Sequence, residues 1–316
     1  MRILTLCLLL ILPLGAVAAD FATEMTVASD GSGDFTRLQD AIDASKSFPL
    51  LPITIHVKNG VYQEKVDVHA WNTQLSLIGE SREGTIIRFG DHFERVDRGR
   101  NSTFMTYTLR VAGNDFHAQN LTIENTAGPV GQAVALHVEA DRAAFVNVSI
   151  KGYQDTVYLA GEGFRSWFSD CYIEGTIDFI FGQGTALFEN CELRSLADGY
   201  VTAASTPAQE AHGLVFSECR LTAAPGVDAV YLGRPWRPFA NAVFMDSEIG
   251  SHILPAGWHN WDDEVNEETA RFAEYRNRGP GAERSRRVPW ARQLKEPEAA
   301  AYRAERLFRG WQPPGR

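Results

Sequence analysis

A short pattern recurs six times along the chain and constrains its fold more than any other feature. Each copy has an aromatic residue, then Asn, Asp or Glu, then an apolar residue or Cys, and finally Ile or Leu. The polar anchors are Asn120, Asn147, Asp170, Asn190, Glu218 and Asp246, spaced by 27, 23, 20, 28 and 28 residues. Repetition with a period of about 20 to 50 residues is typical of solenoids, in which each unit stacks on the next.

Short strands and turns account for most of each unit, which leaves too little room for a helix. Apolar residues alternate with polar ones and are interrupted by Gly, Asn or Asp, which indicates short strands separated by turns. The sequence therefore predicts an all-β chain folded as a parallel β-helix, with apolar rungs filling the interior. Regular strand spacing would also fit an immunoglobulin-like sandwich, which remains the alternative at this point.

The ends of a solenoid need covers. Residues 34–45 have apolar residues at helical spacing, which predicts a short helix capping the N-terminal end. Residues 266–316 are polar, with possible helices from Glu296 to Phe308, and we expect them to pack as a tail on the outside. No linker or second domain is apparent, so residues 20–316 are predicted to form a single domain.

The N-terminal segment has the order of features found in secretory signals. Met1-Arg2 is followed by an apolar run from Ile3 to Leu14 and by small residues up to Ala19. The run is too short to span a bilayer. Residues 1–19 are therefore predicted to be a cleaved signal peptide, and the protein is predicted to be secreted or periplasmic.

The net charge of −10 argues against nucleic acid or an anionic membrane surface as a partner. The rest of the chain has no apolar run long enough for a membrane span, so no membrane partner is expected. The spacing of Cys and His residues does not resemble a zinc site. We predict no metal, no cofactor and a monomeric protein.

Three cysteines occupy the same position in successive repeats. Stacking would separate neighbours by about 4.8 Å, which suggests a disulfide in an oxidising compartment. Cys171 with Cys191 is the preferred pair because they close the shorter loop, which would leave Cys219 as a free thiol. Three reduced thiols in the core are the alternative.

Two aspartates stand in unusually apolar surroundings. Asp155 lies in Gly-Tyr-Gln-Asp-Thr, residues 152–156, and Asp178 lies in Gly-Thr-Ile-Asp-Phe-Ile-Phe-Gly, residues 175–182. A carboxylate in such a setting is either a structural hydrogen-bond acceptor or a catalytic group with a shifted pKa. Their separation is close to one coil, which predicts that they are neighbours on one outer face.

Other polar residues recur at the spacing of one coil or follow downstream. Gln132 precedes Gln154 by 22 residues, so two amides are predicted to stack beside the carboxylates. Arg234 could hold a carboxylate through two hydrogen bonds, and Trp236 could face a sugar ring. Amide donors, an ion-paired carboxylate and a carboxylic acid form a plausible set for acyl transfer.

At these residues the chain closely resembles the pectinesterases, the pectin methylesterases of plants and microbes. The resemblance covers most of the chain and rests on several motifs in order. These are Gly-Val-Tyr-Gln-Glu at 60–64, Gly-Gln-Ala-Val-Ala-Leu at 131–136, the two aspartate segments, Leu-Gly-Arg-Pro-Trp at 232–236 and Gly-Trp-His-Asn-Trp-Asp at 257–262. The resemblance implies a right-handed parallel β-helix and an enzyme that removes methyl groups from methyl-esterified galacturonate in pectin.

The resemblance also implies a role for each residue. Asp178 would be the nucleophile, Arg234 would orient it, and Asp155 would first donate and then accept a proton. Gln132 and Gln154 would stabilise the oxyanion. The candidate substrate-binding residues are Trp236, Thr103, Phe181 and Tyr158. Two neighbouring carboxylates should have different pKa values, and we expect a raised value for Asp155 and a low one for Asp178 beside Arg234.

Two other functions remain possible on this scaffold. Some relatives of the pectinesterases act on thioesters, which would need the same residues. A polysaccharide-binding β-helix would instead use aromatic residues alone, and replacing both aspartates would leave its function intact.

Overall fold

Short parallel strands stacked coil upon coil make up most of the protein. The computed structural model describes residues 21–316. The strands are β1 Glu24–Val27, β2 Ile53–Val57, β3 Gly60–Gln63, β4 Val66–Val68, β5 Leu75–Gly79, β6 Thr85–Phe89, β7 Leu109–Val111, β8 His117–Gln119, β9 Thr122–Asn125, β10 Leu136–Val138, β11 Ala143–Val146, β12 Ser149–Lys151, β13 Val157–Leu159, β14 Arg165–Ser169, β15 Tyr172–Gly182, β16 Thr185–Glu189, β17 Glu192–Ala204, β18 Leu214–Ser217, β19 Arg220–Ala223, β20 Val230–Pro235, β21 Asn241–Met245, β22 Glu248–Ile249, β23 Arg271–Tyr275 and β24 Arg292–Gln293.

These strands form three faces. Face one is β1-β2-β5-β8-β11-β14-β16-β18-β21-β23-β24. Face two contains β3, β6, β9, β12, the first halves of β15 and β17, β19 and β22; face three contains β4, β7, β10, β13, the second halves of β15 and β17, and β20. Every strand pair within residues 21–316 is parallel, for example β14 with β16 and β13 with β15. The predicted parallel β-helix is confirmed, and the sandwich alternative, which needs antiparallel sheets, is wrong.

The repeat anchors are the turns that separate face one from face two. All six polar anchors have a left-handed backbone, with φ between +50° and +56°. Asn and Asp adopt this conformation more readily than other non-glycine residues. The Asn147 side-chain amide donates to the Asn120 side-chain oxygen at 2.8 Å, which links successive turns. The recurring polar residue in the sequence therefore marks the left-handed turn of each coil.

The aromatic position of the repeat forms a ladder inside the solenoid. Successive rings lie 4.4 to 5.8 Å apart between centroids, and all are fully buried. The members are Phe116, Phe145, Phe168, Phe188, Phe216 and Phe244. Burying such a ring contributes roughly 1.5–3 kcal/mol relative to leaving it exposed, so the ladder holds the coils in register.

The structure does not contain the predicted disulfide between Cys171 and Cys191. These two residues and Cys219 are free, buried thiols. Each sulfur lies 3.4 to 3.5 Å from the carbonyl oxygen of the phenylalanine in the preceding coil. A disulfide would draw the Cβ atoms of stacked positions from about 4.8 Å to about 3.8 Å. In the structure each thiol instead faces a backbone carbonyl of the preceding coil.

A helix covers the N-terminal end, as the sequence predicted. Helix α1, Leu38–Ala44, buries Leu38, Ala41 and Ile42 against the first coils. The Glu64 carboxylate accepts hydrogen bonds from the backbone N–H groups of Leu38 and Gln39 at 2.9 and 3.2 Å. Glu64 thus stabilises the first turn of α1, because those N–H groups have no partner within the helix.

The C-terminal segment covers the outside of face one. The remaining helices are α2 Phe93–Val96, α3 Val265–Thr269, α4 Glu296–Ala299 and α5 Ala304–Phe308, with 3-10 turns at Gly99–Met105, Arg284–Arg286 and Ala300–Tyr302. Leu307 and Phe308 of α5 pack on outward-facing apolar residues of face one, among them Trp167 and Leu187. The outward side of face one is therefore buried where these residues pack, on β14 and β16.

None of the helices within residues 21–316 has the length and apolar character needed to cross a lipid bilayer. The predicted signal peptide, residues 1–19, lies outside the described residues.

Candidate active site

The two aspartates lie at the corner where the chain passes from face two to face three. Asp155 is in the turn before β13, and Asp178 occupies the same corner one coil later, within β15. The Asp155 backbone N–H donates to the Ile177 carbonyl at 3.1 Å, which joins the two turns. Both residues have positive φ, +66° and +52°. The two residues are 5% and 6% exposed, so this corner holds two nearly buried carboxyl groups.

The backbone around Asp178 departs from regular strand geometry. The pairing of β15 with β17 shifts register on either side of Ile177. Gly175 permits the tight turn, because a Cβ there would lie 2.2 Å from the Cβ of Phe179 and 2.7 Å from the Tyr153 carbonyl oxygen. Such irregularities re-aim side chains and occur often beside active sites. Here the irregularity directs Asp178 outward while Phe179 enters the core.

Arg234 reaches Asp178 from β20, two strands away on face three. Its Nε and Nη2 atoms donate to the two carboxylate oxygens at 2.9 and 2.6 Å. This is a bidentate pair, which fixes the plane of the carboxylate as well as its charge. The arginine side chain is 18% exposed and that of Asp178 is 8% exposed, so the pair is shielded from bulk water.

The two carboxyl groups differ in their electrostatics. Burial, and then the charge of Asp178, raise the pKa of Asp155 well above its ordinary value, while Arg234 and a hydrogen bond with Gln132 act in the opposite direction. Burial also raises the pKa of Asp178, and the Arg234 hydrogen bonds and charge offset this only in part. The expectation of a low pKa for Asp178 is therefore wrong, because burial outweighs the ion pair. Asp155 remains the more strongly shifted acid.

Two stacked glutamines stand beside the aspartates. Gln132 and Gln154 form an isolated parallel bridge between successive turns. Thr103, in the 3-10 turn before β7, donates its hydroxyl to the Gln132 side-chain oxygen at 2.8 Å. That bond occupies the amide oxygen and leaves the amide nitrogen to face the cleft and Asp155. Thr103 is 5% exposed and is one of the residues that line the cleft.

Aromatic side chains surround the carboxyl groups in a cleft of about 240 Å³. Phe181 and Trp236 line it, with their ring centroids 5.8 Å apart in an edge-on arrangement. Tyr158 lies one strand further along face three and stacks on Phe181 at 4.7 Å. The structure thus brings together all of the predicted catalytic and binding residues, with Tyr158 supporting the wall rather than lining the cleft.

A profile of the Pectinesterase family matches residues 24–310. The chain belongs to the pectinesterase family. It is 39% identical to Pectinesterase 31 of Arabidopsis thaliana, over 87% of this chain and 89% of that protein. It is 37% identical to probable pectinesterase/pectinesterase inhibitor 58 of the same plant, over 92% of this chain but 53% of that protein. This chain therefore spans about half the length of the latter relative.

Solved pectinesterase structures share the whole architecture. Pectin methylesterase from carrot superposes with a TM-score of 0.85 at 33% identity, covering 90% of this chain and 93% of that chain. A pectin methylesterase in complex with hexasaccharide VII superposes with a TM-score of 0.79 at 33% identity, covering 94% and 99%. The fold of stacked parallel coils is thus shared with these solved structures.

Several of the residues that line this cleft were not singled out by the sequence, and neither was Tyr200, which packs against Arg234. Arg100 and Phe104 line one wall, and both come from the segment that contains Thr103. Trp261 and Tyr200 lie against the guanidinium of Arg234, 3.7 and 3.9 Å from its carbon to the ring centroids. Trp261 was within a motif of the family, but nothing in its sequence neighbourhood indicates that its loop folds back onto β20.

The arrangement is suited to nucleophilic acyl transfer. It offers one carboxylate oriented by Arg234, a second carboxyl group whose pKa is raised by burial, and amide donors beside them. Within residues 21–316, no three His, Cys, Asp or Glu side chains converge in a way that could hold a metal ion.

Proposed function

We propose that the protein is a carboxylic ester hydrolase that removes methyl groups from methyl-esterified galacturonate in pectin and releases methanol. The observation that carries this proposal is the buried pair Asp155 and Asp178, of which only Asp178 is held by Arg234. Membership of the pectinesterase family and the hexasaccharide complex of a structural relative support pectin as the substrate.

In the first half of the reaction, the Asp178 carboxylate attacks the C6 carbonyl carbon of the methyl ester. A tetrahedral intermediate forms, and its oxyanion accepts hydrogen bonds from the side-chain amides of Gln132 and Gln154. The intermediate then collapses, the bond to the methoxy oxygen breaks, and Asp155 gives its proton to the departing methanol. The product is an acyl-enzyme in which Asp178 and galacturonate share an anhydride.

In the second half, the ionised Asp155 accepts a proton from water, which attacks the carbonyl carbon derived from the substrate. The anhydride bond breaks and Asp178 leaves as a carboxylate, which Arg234 again holds in place. Asp155 ends protonated, as it began. The raised pKa of Asp155 supports this cycle, because the group must bind a proton before methanol departs and again after water attacks.

The amide pair supplies electrostatic stabilisation. Preorganised donors aimed at a developing oxyanion are worth roughly 10²-fold or more in rate. Gln132 is preorganised by its bond from Thr103, and its backbone is paired with that of Gln154. We assign Thr103 to positioning Gln132, in place of the direct substrate contact that the resemblance implied.

Aromatic rings form the binding surface for the polymer. Trp236 and Phe181 present apolar faces and edges to the cleft, where the C–H surfaces of galacturonate rings can pack. Tyr158 extends this surface by one strand through its stacking on Phe181.

We propose that residues 1–19 are a signal peptide and that residues 20–316 form the mature, monomeric domain, secreted or periplasmic. A polysaccharide substrate outside the cytoplasm fits this destination. Mass spectrometry of the secreted protein would test it, with an N-terminus at Asp20 as the expected result and retention of residue 1 as the contrary one.

Methanol release from highly methylated pectin tests the function directly. We expect release by the wild type and none by Asp178→Ala. Asp170→Ala is the matched control, because Asp170 is also an aspartate with positive φ at a coil corner but belongs to a repeat anchor outside the cleft. A short-chain acyl thioester is assayed in parallel. Turnover of the thioester without methanol release, or methanol release by Asp178→Ala, would contradict the proposal.

A further inference from the structure

Two aromatic rings enclose the guanidinium of Arg234. The indole of Trp261 lies on one side with its centroid 3.7 Å from the guanidinium carbon, and the phenol of Tyr200 lies 3.9 Å away. Trp261 follows β22 in a loop, whereas Tyr200 belongs to β17, so two separate parts of the chain converge on one side chain. We infer that Trp261 and Tyr200 are positioning residues that act through Arg234 on the nucleophile Asp178.

The in-plane contacts of Arg234 explain why the two rings matter. A guanidinium is planar, and its hydrogen-bond donors all lie in that plane. Two of those donors bond the carboxylate oxygens of Asp178. Its faces can only be covered by a flat partner or by water, and aromatic rings attract a cation while excluding water. The rings therefore restrict tilting of the guanidinium and hence of the carboxylate that it holds.

The backbone of Trp261 indicates that its placement is imposed. Trp261 has φ +62° and the next residue, Asp262, has φ +57°. For a bulky residue this conformation is uncommon, and it persists only where neighbouring contacts require it. Those contacts are present: the Trp261 N–H donates to Nδ1 of His259 at 2.9 Å, and Asn266 donates to the Asn260 carbonyl at 2.9 Å.

The same histidine also supports the second ring. His259 meets the ring of Tyr200 edge-on at 5.5 Å and that of Tyr231 at 5.1 Å. Tyr200 and Tyr231 are themselves stacked at 5.4 Å on adjacent strands. His259 thus contacts both residues. Its Nδ1 atom accepts a hydrogen bond from the backbone N–H of Trp261, and its ring packs edge-on against the ring of Tyr200. The loop that follows β22 and the strands β17 and β20 form one support around Arg234.

Chemical modification of Arg234 tests this inference without reference to catalysis. Phenylglyoxal, a reagent for guanidinium groups, is applied to the wild type, to Trp261→Leu and to Trp261→Phe, and modified arginines are located by mass spectrometry. We expect Arg234 to react about tenfold faster or more in Trp261→Leu and close to the wild-type rate in Trp261→Phe, which retains an aromatic face. Equal rates in all three proteins would overturn the inference.

Two other arginines serve as internal references in the same samples. Arg100 is exposed, so it should react quickly in every variant. Arg287 is 3% exposed in its side chain and hydrogen-bonded to Glu274, so it should remain unmodified if the fold is intact. A faster reaction of both Arg234 and Arg287 would mean that the substitution unfolds the protein, and would count against a local positioning role.

Kinetics then test the consequence for Asp178, which rests on the proposed esterase function. We expect Trp261→Leu to lower kcat about tenfold with little change in KM, and to have a much smaller effect in an Arg234→Lys background, because coupled residues are not additive. An equal loss in both backgrounds, or a loss confined to KM, would show that Trp261 contacts the sugar instead. Trp71→Leu, a substitution at an exposed tryptophan outside the cleft, is the matched control.

The two measurements separate the possible failures. If the wild type releases no methanol, the proposed function fails, while the reactivity of Arg234 still reports whether Trp261 shields it. If the wild type is active but Arg234 is equally reactive with and without the indole, the positioning inference fails and the esterase assignment stands.

Discussion

Arg287 and Arg234 each hold a carboxylate through two hydrogen bonds, and of these two only Arg234 lies at the candidate active site. Arg287 donates to Glu274 at 2.7 and 3.2 Å, and Arg234 donates to Asp178 at 2.9 and 2.6 Å. The side chains of the first pair are both 3% exposed, whereas those of the second are 18% and 8% exposed. The pairs are alike in geometry and differ in their surroundings.

The remaining contacts of each pair reveal its role. Arg287 also donates to the carbonyl oxygens of Leu254, Pro255 and Gly281, so it ties the C-terminal coils together. The side chain of Arg234 makes no further hydrogen bond within residues 21–316. Its guanidinium packs against two aromatic rings, and a second carboxyl group, that of Asp155, lies beside Asp178. A bidentate ion pair alone does not indicate catalysis. The adjacent acid and the open cleft make the difference.

Removing the structural arginine should have the largest effect. Arg287→Leu leaves Glu274 buried without a partner, and we expect the free energy of unfolding to fall by about 3–5 kcal/mol. Denaturant titration measures the change. Arg292→Leu is the control, because it removes a half-exposed pair with Glu298 and should cost less than about 1 kcal/mol. Similar losses for the two variants would erase the distinction between the pairs.

The same substitution at Arg234 should mainly impair turnover. We expect Arg234→Leu to lower kcat by about 10²- to 10³-fold, since Asp178 loses its orientation and its countercharge. Arg234 opposes the rise in the pKa of Asp178, so its removal should also move the acidic limb of the kcat/KM profile to higher pH. An unchanged acidic limb, measured by methanol release across pH, would mean that another group controls it.

Removing the hydroxyl of Thr103, which acts through the side-chain amide of Gln132, should have a smaller effect on turnover. Thr103→Val removes the hydrogen bond to Gln132, and we expect kcat to fall about tenfold because the amide can then rotate. KM should change little, and Thr103→Ser should restore most of the activity. If KM rises instead and Ser does not restore activity, Thr103 contacts the substrate directly.

The smallest expected effect is on how the stability of the protein depends on pH, and it comes from Asp155. Burial raises the pKa of Asp155 above its unfolded value of about 3.9, so wild-type stability falls as pH rises from about 4 towards the folded pKa. Asp155→Asn removes this cost, and we expect it to be more stable than the wild type by about 1 kcal/mol at pH 7 but not at pH 4. Thermal unfolding at both pH values measures the difference.

Glu139 serves as a control, because its contribution to stability should change with pH in the opposite direction to that of Asp155. A hydrogen bond with His137, followed by one from Arg110, lowers the pKa of Glu139 to about 2 despite partial burial. Its charged form therefore stabilises the fold above about pH 4.3, and that contribution is lost as pH falls towards 2. Glu139→Gln should be less stable than the wild type at pH 7 and should approach it in acid. The same sign for both variants would contradict the contrast in their surroundings.

Much of the architecture follows from local rules that the sequence displays. The anchors at Asn120 and Asn147 mark left-handed turns, because few other residues adopt that backbone readily. The aromatic positions stack because identical rungs meet in a parallel register. Asp155, Asp178 and Arg234 could be selected because each lies in a motif whose composition is unusual for solvent-facing residues.

Predictions that depended on the distance between coils, or on the balance between burial and charge, were less successful. The cysteines are in the predicted register, yet Cys171 and Cys191 are thiols that face backbone carbonyls of the preceding coil. The pKa of Asp178 is raised because the extent of burial is set by neighbours from several coils. Neither the bonding state of the cysteines nor the pKa of Asp178 can be derived from the spacing of residues along the chain.

The sequence by itself determined the solenoid, its turns and the carboxyl groups at one corner, because these follow from periodic side chains and local backbone preference. Only the tertiary structure decided which residues surround Arg234. Trp261 and Tyr200 lie 61 residues apart along the chain, and they meet because a loop returns over adjacent strands in a strained conformation. Contacts between distant segments depend on how whole coils pack, and no short stretch of sequence specifies them.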